Sequence, residues 1–156
     1  MKRCWIALAS VLLAACGGSA PQEKKAEART EAVPAPKDNT DKLLPLNHVS
    51  AKVVPNHVLG NSALPGGTVG DYEAKGQKYQ VFIVETASPQ DAAILLLDTK
   101  GTMKDPEYMA AFGGYFGSDA NGELFVFAKS KYLAGVAGLP RAKADPIARQ
   151  LAVHLN

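Results

Sequence analysis

The pattern of apolar and polar positions changes character near residue 43 of this 156-residue chain. Residues 17–42 are rich in Ala, Pro, Lys and Glu and hold almost no large apolar side chain. Such a segment cannot bury enough surface to offset the entropy of an ordered backbone. We therefore expect a disordered tether over 16–42, followed by one globular domain over 43–156.

Strand patterns are clearest in the middle and in the second half of the globular part. Tyr79–Thr86 holds four consecutive apolar residues, which is typical of a central strand covered on both faces. Glu123–Ala128 and Tyr132–Ala137 predict a hairpin. Ala51–Leu59 is a weaker candidate, because Pro55 would confine it to a sheet edge or break it.

Three helices are predicted by one start signal, a capping residue followed by Pro at the first helical position. The signal occurs at Ser88-Pro89, Asp105-Pro106 and Asp145-Pro146. Together with the strands, it predicts an α+β fold in which an antiparallel sheet is packed by two or three helices, forming a single small domain after the tether.

The three predicted helices differ in length and in supporting detail. Asp91 completes a Ser-x-x-acid capping box in the first, which should end near Gly101. The second is short and covers Pro106–Phe112. The third has an apolar stripe typical of a helix packed on a sheet. That stripe consists of Ile147, Ala148, Leu151, Ala152 and Leu155.

The N-terminus has the three parts of an export signal, which we assign to residues 1–15. Lys2 and Arg3 are followed by an apolar core, Trp5–Ala15, and then by small residues. The core has 11 residues, well short of the roughly 20 that a membrane-spanning helix needs. Cys16 follows Leu13-Ala14-Ala15 and precedes Gly17-Gly18-Ser19. This arrangement resembles the lipobox of bacterial lipoproteins.

The resemblance implies cleavage before Cys16 and a thioether-linked diacylglycerol on its sulfur, with an additional N-acyl chain in many bacteria. The protein would then be anchored to a membrane of the cell envelope by its acyl chains. Gly17 in place of Asp is similar to the pattern that sorts lipoproteins to the outer membrane, facing the periplasm, in bacteria with two membranes. In the ordinary secretory interpretation, by contrast, cleavage follows a small-x-small pattern and Cys16 is incidental.

Cysteine and charge content narrow the possible functions further. Cys4 leaves with the signal and Cys16 carries the lipid, so no thiol is left for a disulfide or a metal site. Residues 43–156 contain ten Lys and Arg and ten Asp and Glu. Because a neutral domain lacks the basic footprint of nucleic-acid binding, we expect no nucleic-acid partner.

Candidate metal ligands have simpler structural interpretations. His48, His57 and His154 lack the i, i+3 or i, i+4 spacing of a metal-binding helix, so we expect surface or strand histidines. Asp119–Glu123 is similar to the start of a calcium loop, but the residue six positions after Gly122 is alanine rather than glutamate. We expect a hairpin turn there, and neither a metal nor another cofactor.

Two glycine-rich frames, residues 66–70 and 113–117, share the pattern GGxxG. Both lead into strands, whereas phosphate-binding loops lead into helices, so we expect turn glycines. Ancestral duplication of a β-β-α unit and coincidence both remain open as explanations of the shared pattern.

Candidate catalytic residues also lack a supporting motif. The serines at 62, 118 and 130 are not in the Gly-x-Ser-x-Gly context of a nucleophile elbow. No motif supports a catalytic carboxylate pair of Glu85 with Asp91 or of Asp98 with Asp105. We therefore assign no catalytic residue.

The C-terminal half resembles an uncharacterised family of secreted bacterial domains. The similarity lies in Val81–Ala93, Gly114–Gly117 and Leu124–Val136, followed by the final helix. These motifs are structural, so the resemblance implies a fold and adds no chemistry.

Two classes of function stay open. The favoured one is a non-enzymatic, membrane-anchored binding or accessory module of the cell envelope, with a possible envelope protein as partner. The alternative is a small cell-envelope enzyme, hydrolase-like, whose site is assembled only in three dimensions. A deep pocket with His48 or His57 beside a carboxylate would favour the enzyme. The aromatic residues that could serve as binding anchors, most of which we expect in the core, are Tyr115, Phe116, Phe125, Phe127 and Tyr132.

Overall fold

A computed structural model describes residues 35–155 of the chain. The predicted signal peptide (1–15), Cys16 and residues 17–34 of the predicted tether lie outside the described residues. Within residues 35–155, no helix combines the length and the apolar character needed to cross a bilayer.

Seven antiparallel strands form one sheet with the order β1-β2-β3-β7-β6-β5-β4. The strands are β1 (His48–Asn56), β2 (Pro65–Ala74), β3 (Gln77–Glu85), β4 (Lys104–Met109), β5 (Gly114–Asp119), β6 (Gly122–Lys129) and β7 (Tyr132–Ala137). Two α-helices follow β3 and β7, namely α1 (Pro89–Gly101) and α2 (Arg141–His154), and the short 3₁₀ helices are Thr40–Lys42 and Val58–Gly60. The predicted antiparallel sheet packed by helices in a single small domain is thereby confirmed.

The two helices cover opposite faces of the sheet. Val81 and Ile83 of β3 belong to the core that contains α2, and Phe82 and Val84 belong to the core that contains α1. This alternation follows from the two-residue period of side chains along a strand. We call the two sides the α1 face and the α2 face. Because β3 lies between β2 and β7 and is buried on both faces, its predicted position inside the sheet is confirmed.

Helix α1 begins as its sequence predicts. The Ser88 hydroxyl accepts a hydrogen bond from the Asp91 backbone N–H at 3.1 Å and donates to the Asp91 carboxylate at 2.7 Å. Pro89 occupies the first turn, and the helix ends at Gly101.

The predicted helix at Pro106–Phe112 is wrong, because this segment contains most of edge strand β4. Asp105 has φ 51°, which differs from the extended conformation of a helix cap. Tyr108 instead pairs with Tyr115 of the neighbouring strand β5. Strand pairing has therefore overridden the local start signal.

Helix α2 starts earlier than predicted, with Pro140 as its cap, so Pro146 lies inside the helix rather than at its start. Pro146 has no N–H and removes one intrahelical hydrogen bond near the N-terminus. The predicted stripe does pack on the sheet, since Ala148, Leu151 and Leu155 are fully buried.

The other predicted strands are present, although the strand expected over Ala51–Leu59 begins at His48 and ends at Asn56, and Val58–Gly60 is a 3₁₀ helix. Strands β6 and β7 form the expected hairpin. Strand β1 includes Pro55 and lies at the edge of the sheet, where a missing backbone donor is tolerated.

The described chain already contacts the sheet at Lys37, ahead of the predicted domain start at Leu43. Lys37 forms an ion pair with Glu85 at 2.6 Å, and the Asn39 backbone N–H donates to Thr68 Oγ1 at 2.9 Å. Leu43 and Leu44 are then buried on the α2 face. The last residues of the predicted tether therefore pack on the domain.

Candidate functional site: an open groove on the α1 face

An open groove of about 720 Å³ lies on the α1 face. Its floor is formed by β1, β2, β3 and the end of β7. The loop His57–Gly60 and the turn between β5 and β6, which contains Asn121, line its wall. The groove is thus built from segments far apart in the sequence.

A row of polar side chains crosses the groove floor. Strand register places Ser50 opposite Asp71, Asp71 opposite Gln80, and Gln80 opposite Ala137. Ser50 Oγ donates to one Asp71 oxygen at 2.8 Å, and Gln80 Nε2 donates to the other at 2.7 Å. The Asp71 carboxylate is therefore held in place from both sides.

The pKa of Asp71 lies below its ordinary value. The main causes are the hydrogen bonds from Gln80 and Ser50, and the charges of Lys52 and His48 act in the same direction. Partial burial opposes them but is weaker. Asp71 is consequently ionised at neutral pH, and its low basicity makes it a poor general base.

Charges of both signs lie beside this row. Glu73 stands directly opposite Lys78 on the next strand, and Lys52 lies on the neighbouring edge strand. All three are exposed, and none has an ion-pair partner among residues 35–155. The groove therefore offers both ammonium and carboxylate groups to a ligand.

The groove wall at His57–Gly60 has an unusual backbone. His57, Leu59 and Gly60 all have positive φ, at 51°, 55° and 71°. Non-glycine residues in this region are strained, and such strain persists only where surrounding contacts hold it. Here the contacts are a fully buried Val58 and a hydrogen bond from the Asn121 side-chain amide to the Leu59 carbonyl.

The three histidines lie apart from one another. His57 lines the groove wall, His48 packs its ring against Tyr72 at a centroid distance of 5.3 Å, and His154 ends α2. All three are exposed. Within residues 35–155, no histidine lies within ion-pair distance of a carboxylate, and no group of three or more His, Cys, Asp and Glu residues could hold a metal.

The remaining candidates have structural roles. The expectation of turn glycines in the two GGxxG frames is wrong for all but Gly113, because the other glycines lie within strands β2 and β5. Asp119 Oδ1 accepts a hydrogen bond from the Asn121 backbone N–H at 2.7 Å, which confirms the predicted hairpin turn. Glu85 binds Lys37 and Lys131 rather than Asp91.

The predicted aromatic anchors are mostly core residues, as expected. Phe125, Phe127 and Tyr132 are buried, and Tyr115 and Phe116 are partly buried.

Sequence reasoning missed the floor of the groove. Ser50, Asp71 and Gln80 come from three strands, and no local motif connects them. The only available signal was a polar residue inside an apolar strand, as with Gln80 immediately before Val81. A buried-strand pattern interrupted in this way indicates that one end of the strand is not covered by a helix.

No family model, no curated protein and no solved structure matches this chain. The similarities to bacterial lipoproteins and to a family of secreted domains therefore stay predictions.

Proposed function

We propose that this protein is a lipid-anchored lipoprotein of the cell envelope that binds a polar partner in the groove without turning it over. The observation that supports binding in the groove most directly is the ionised, hydrogen-bonded carboxylate of Asp71. Its carboxylate is ionised and fixed by Ser50 and Gln80, which suits an electrostatic contact and not proton abstraction.

The size and charge of the groove favour a short extended polypeptide as the partner. Four strands spaced at about 4.8 Å give a floor about 14 Å across, the length of about four extended residues. Lys52 and Lys78 can bind acidic groups of the ligand, and Glu73 can bind a basic one. An envelope protein with an exposed segment of mixed charge has this chemistry.

The anchored arrangement is inferred from the sequence around Cys16, whose acyl chains would hold the domain at a membrane through the segment that precedes Lys37. In bacteria with two membranes, we place the anchor in the outer membrane, facing the periplasm.

Photo-crosslinking in the native organism tests the binding role. A benzophenone amino acid in place of Lys52 should capture a partner, and Asp71→Ala in the same chain should abolish the capture. The matched control places the same probe at Lys129, an exposed lysine outside the groove. Capture that is equal at both positions, or that persists in Asp71→Ala, contradicts binding in the groove.

The enzyme alternative is favoured by one observation, the strained conformation of His57 in the groove wall. If His57 were catalytic, His57→Ala would abolish the cellular phenotype while folding and anchoring stay intact. Our proposal instead expects His57→Ala to behave like the wild type and Asp71→Ala to behave like a deletion.

A further inference from the structure

A second cavity, which we call the slot, lies on the α2 face between the β2–β3 turn and the first turns of α2. Its volume is about 360 Å³, within the range of about 300–1,000 Å³ for small-molecule sites. Most of its lining is apolar, and no acidic residue of the described chain contributes to it. The apolar or mainly apolar lining residues are Ala74, Tyr79, Leu139, Ala142, Pro146 and Ile147.

The polar lining residues of the slot leave it with a positive charge. Lys143 donates to the Gln77 side-chain oxygen at 2.6 Å, a neutral partner that does not compensate its charge. Lys75 lies in the β2–β3 turn and is exposed. Neither lysine has an ion-pair partner among residues 35–155. Helix α2 also begins beside the slot, and no side chain caps its first turn. The free backbone N–H groups of that turn carry a partial positive charge, which adds to the charge of the lysines.

We propose that the slot binds a single-chain anionic amphiphile, such as a fatty acid. The acyl chain would lie along Leu139, Pro146 and Ile147, and the carboxylate would contact Lys75 and Lys143. Apolar lining and unpaired lysines at one cavity are complementary to both parts of such a ligand. The slot lies on the other face of the sheet from the groove, although Tyr79 lines both, and the proposal does not depend on the function proposed for the groove.

The size of the slot favours a single acyl chain over a membrane surface. A cavity of about 360 Å³ between the β2–β3 turn and the first turns of α2 has room for one chain of a free ligand, whereas a bilayer would contact an exposed apolar patch. We accordingly assign the slot to free, single-chain ligands.

Titration of the ¹⁵N-labelled full chain carrying Cys16→Ser tests the proposal, with sodium decanoate below its micelle-forming concentration as the probe. Saturable shifts should appear in amides that line the slot, such as Lys75, Gln77 and Ala142, while Asp71 in the groove stays unchanged. Octanoate should bind about 15-fold more weakly, because each methylene removed from the buried chain costs about fourfold in affinity.

Two variants separate the apolar and charged contributions. Ala142→Trp fills the slot from an exposed helix position and should abolish decanoate binding. Lys75→Gln combined with Lys143→Gln should weaken it about tenfold, since charge-assisted hydrogen bonds are lost. The matched control, Lys129→Gln, removes an exposed lysine elsewhere and should change nothing.

Four results would overturn the proposal. Acetate producing the same shifts would mean a site for small anions alone. Decan-1-ol binding as tightly as decanoate would mean that the lysines have no role. Binding to phosphatidylglycerol vesicles without binding to decanoate would mean contact with a membrane surface. Absence of saturable shifts at millimolar decanoate would exclude the ligand class.

Discussion

The side-chain amide of Asn121 donates a hydrogen bond to the backbone carbonyl of Leu59, 62 residues earlier in the chain. This hydrogen bond joins the β5–β6 turn to the strained loop His57–Gly60. Both segments line the groove. The shape of the proposed binding site therefore depends on a polar contact at the protein surface.

Removing that donor should loosen the groove wall more than it destabilises the fold. We expect Asn121→Ala to cost about 0.5–1.5 kcal/mol in urea unfolding and to accelerate amide exchange at Gly60 and Asn61, whose N–H groups donate to the carbonyls of His57 and Val58. Asn121→Asp keeps the size of the side chain but lacks the amide donor, so it should have the same effect. Exchange at Gly60 that is unchanged in both variants would show that the buried Val58 alone holds the loop.

Truncating the centre of the α2 stripe should strongly destabilise the domain. Leu151 is 0% exposed, so Leu151→Ala should cost about 2–5 kcal/mol. Leu97 on α1 is 57% exposed, and Leu97→Ala, the same substitution, should cost less than about 0.5 kcal/mol. Similar urea midpoints for the two variants would contradict the assigned packing of α2.

The ion pairs of Glu85 should make stability depend on acidic pH. Hydrogen bonds from Lys131 and Lys37 lower the pKa of Glu85 below its ordinary value of 4.5. A lowered folded-state pKa means that the unfolded chain binds the proton more readily, so the stabilisation is present above about pH 4.5 and is lost as pH falls through the folded-state pKa.

Glu85→Gln tests this dependence. The variant should be less stable than the wild type by about 0.5–1.5 kcal/mol at pH 7, because the two lysine side chains are partly exposed and water screens the ion pairs. The difference should shrink as the pH is lowered to 3. Glu123→Gln, at an exposed acid, provides the control and should follow the wild type at both pH values. A difference for Glu85→Gln that does not change with pH would refute the electrostatic origin.

Gly135 in β7 leaves no room for a side chain. An added Cβ would lie 2.3 Å from the Phe125 carbonyl oxygen and 2.6 Å from the Phe82 ring. Gly135→Ala should therefore cost about 1–3 kcal/mol. Gly101, at the end of α1, has no neighbour within 4 Å, so Gly101→Ala should leave the melting temperature unchanged or raise it slightly.

Membrane anchoring should depend on Cys16. We expect Cys16→Ser to move the protein from the membrane fraction to the soluble fraction, because no other acylation site follows the signal core. Phase separation in detergent provides the measurement. A variant that still partitions into the detergent phase would contradict lipidation at this cysteine.

Local signals predicted one of the three helix starts. The start of α1 depends on Ser88, Pro89 and Asp91, which lie within four residues of one another, and the structure forms the predicted contacts. The same type of signal lies inside α2 at Asp145-Pro146, and it failed at Asp105-Pro106 because Tyr108 pairs with Tyr115 of another strand. Periodicity and caps describe a segment in isolation, whereas edge-strand pairing is a property of the sheet.

The groove and the slot could not be predicted, because their residues meet only through tertiary structure. Asp71 is 21 residues from Ser50 and nine from Gln80, and strand register alone brings them together. Lys143 similarly reaches Gln77 across 66 residues. A single sequence contains no spacing rule for such contacts.

The sheet order and the placement of α1 and α2 bear on the history of the two glycine-rich frames. The first frame lies in β2 and the second in β5, whereas the pairing of β3 with β7 makes β6 the counterpart of β2. Strands β3 and β7 are antiparallel neighbours. A twofold rotation that exchanges them must therefore have its axis perpendicular to the sheet. Such a rotation does not turn the sheet over, so a helix on one face stays on that face. Two identical halves related in this way would place both helices on one face. Head-to-tail duplication of a symmetric homodimer therefore cannot have produced this domain without one helix changing sides. A dimer of either half alone, paired in this way, would carry both of its helices on one face and leave the other face of the sheet without a helix.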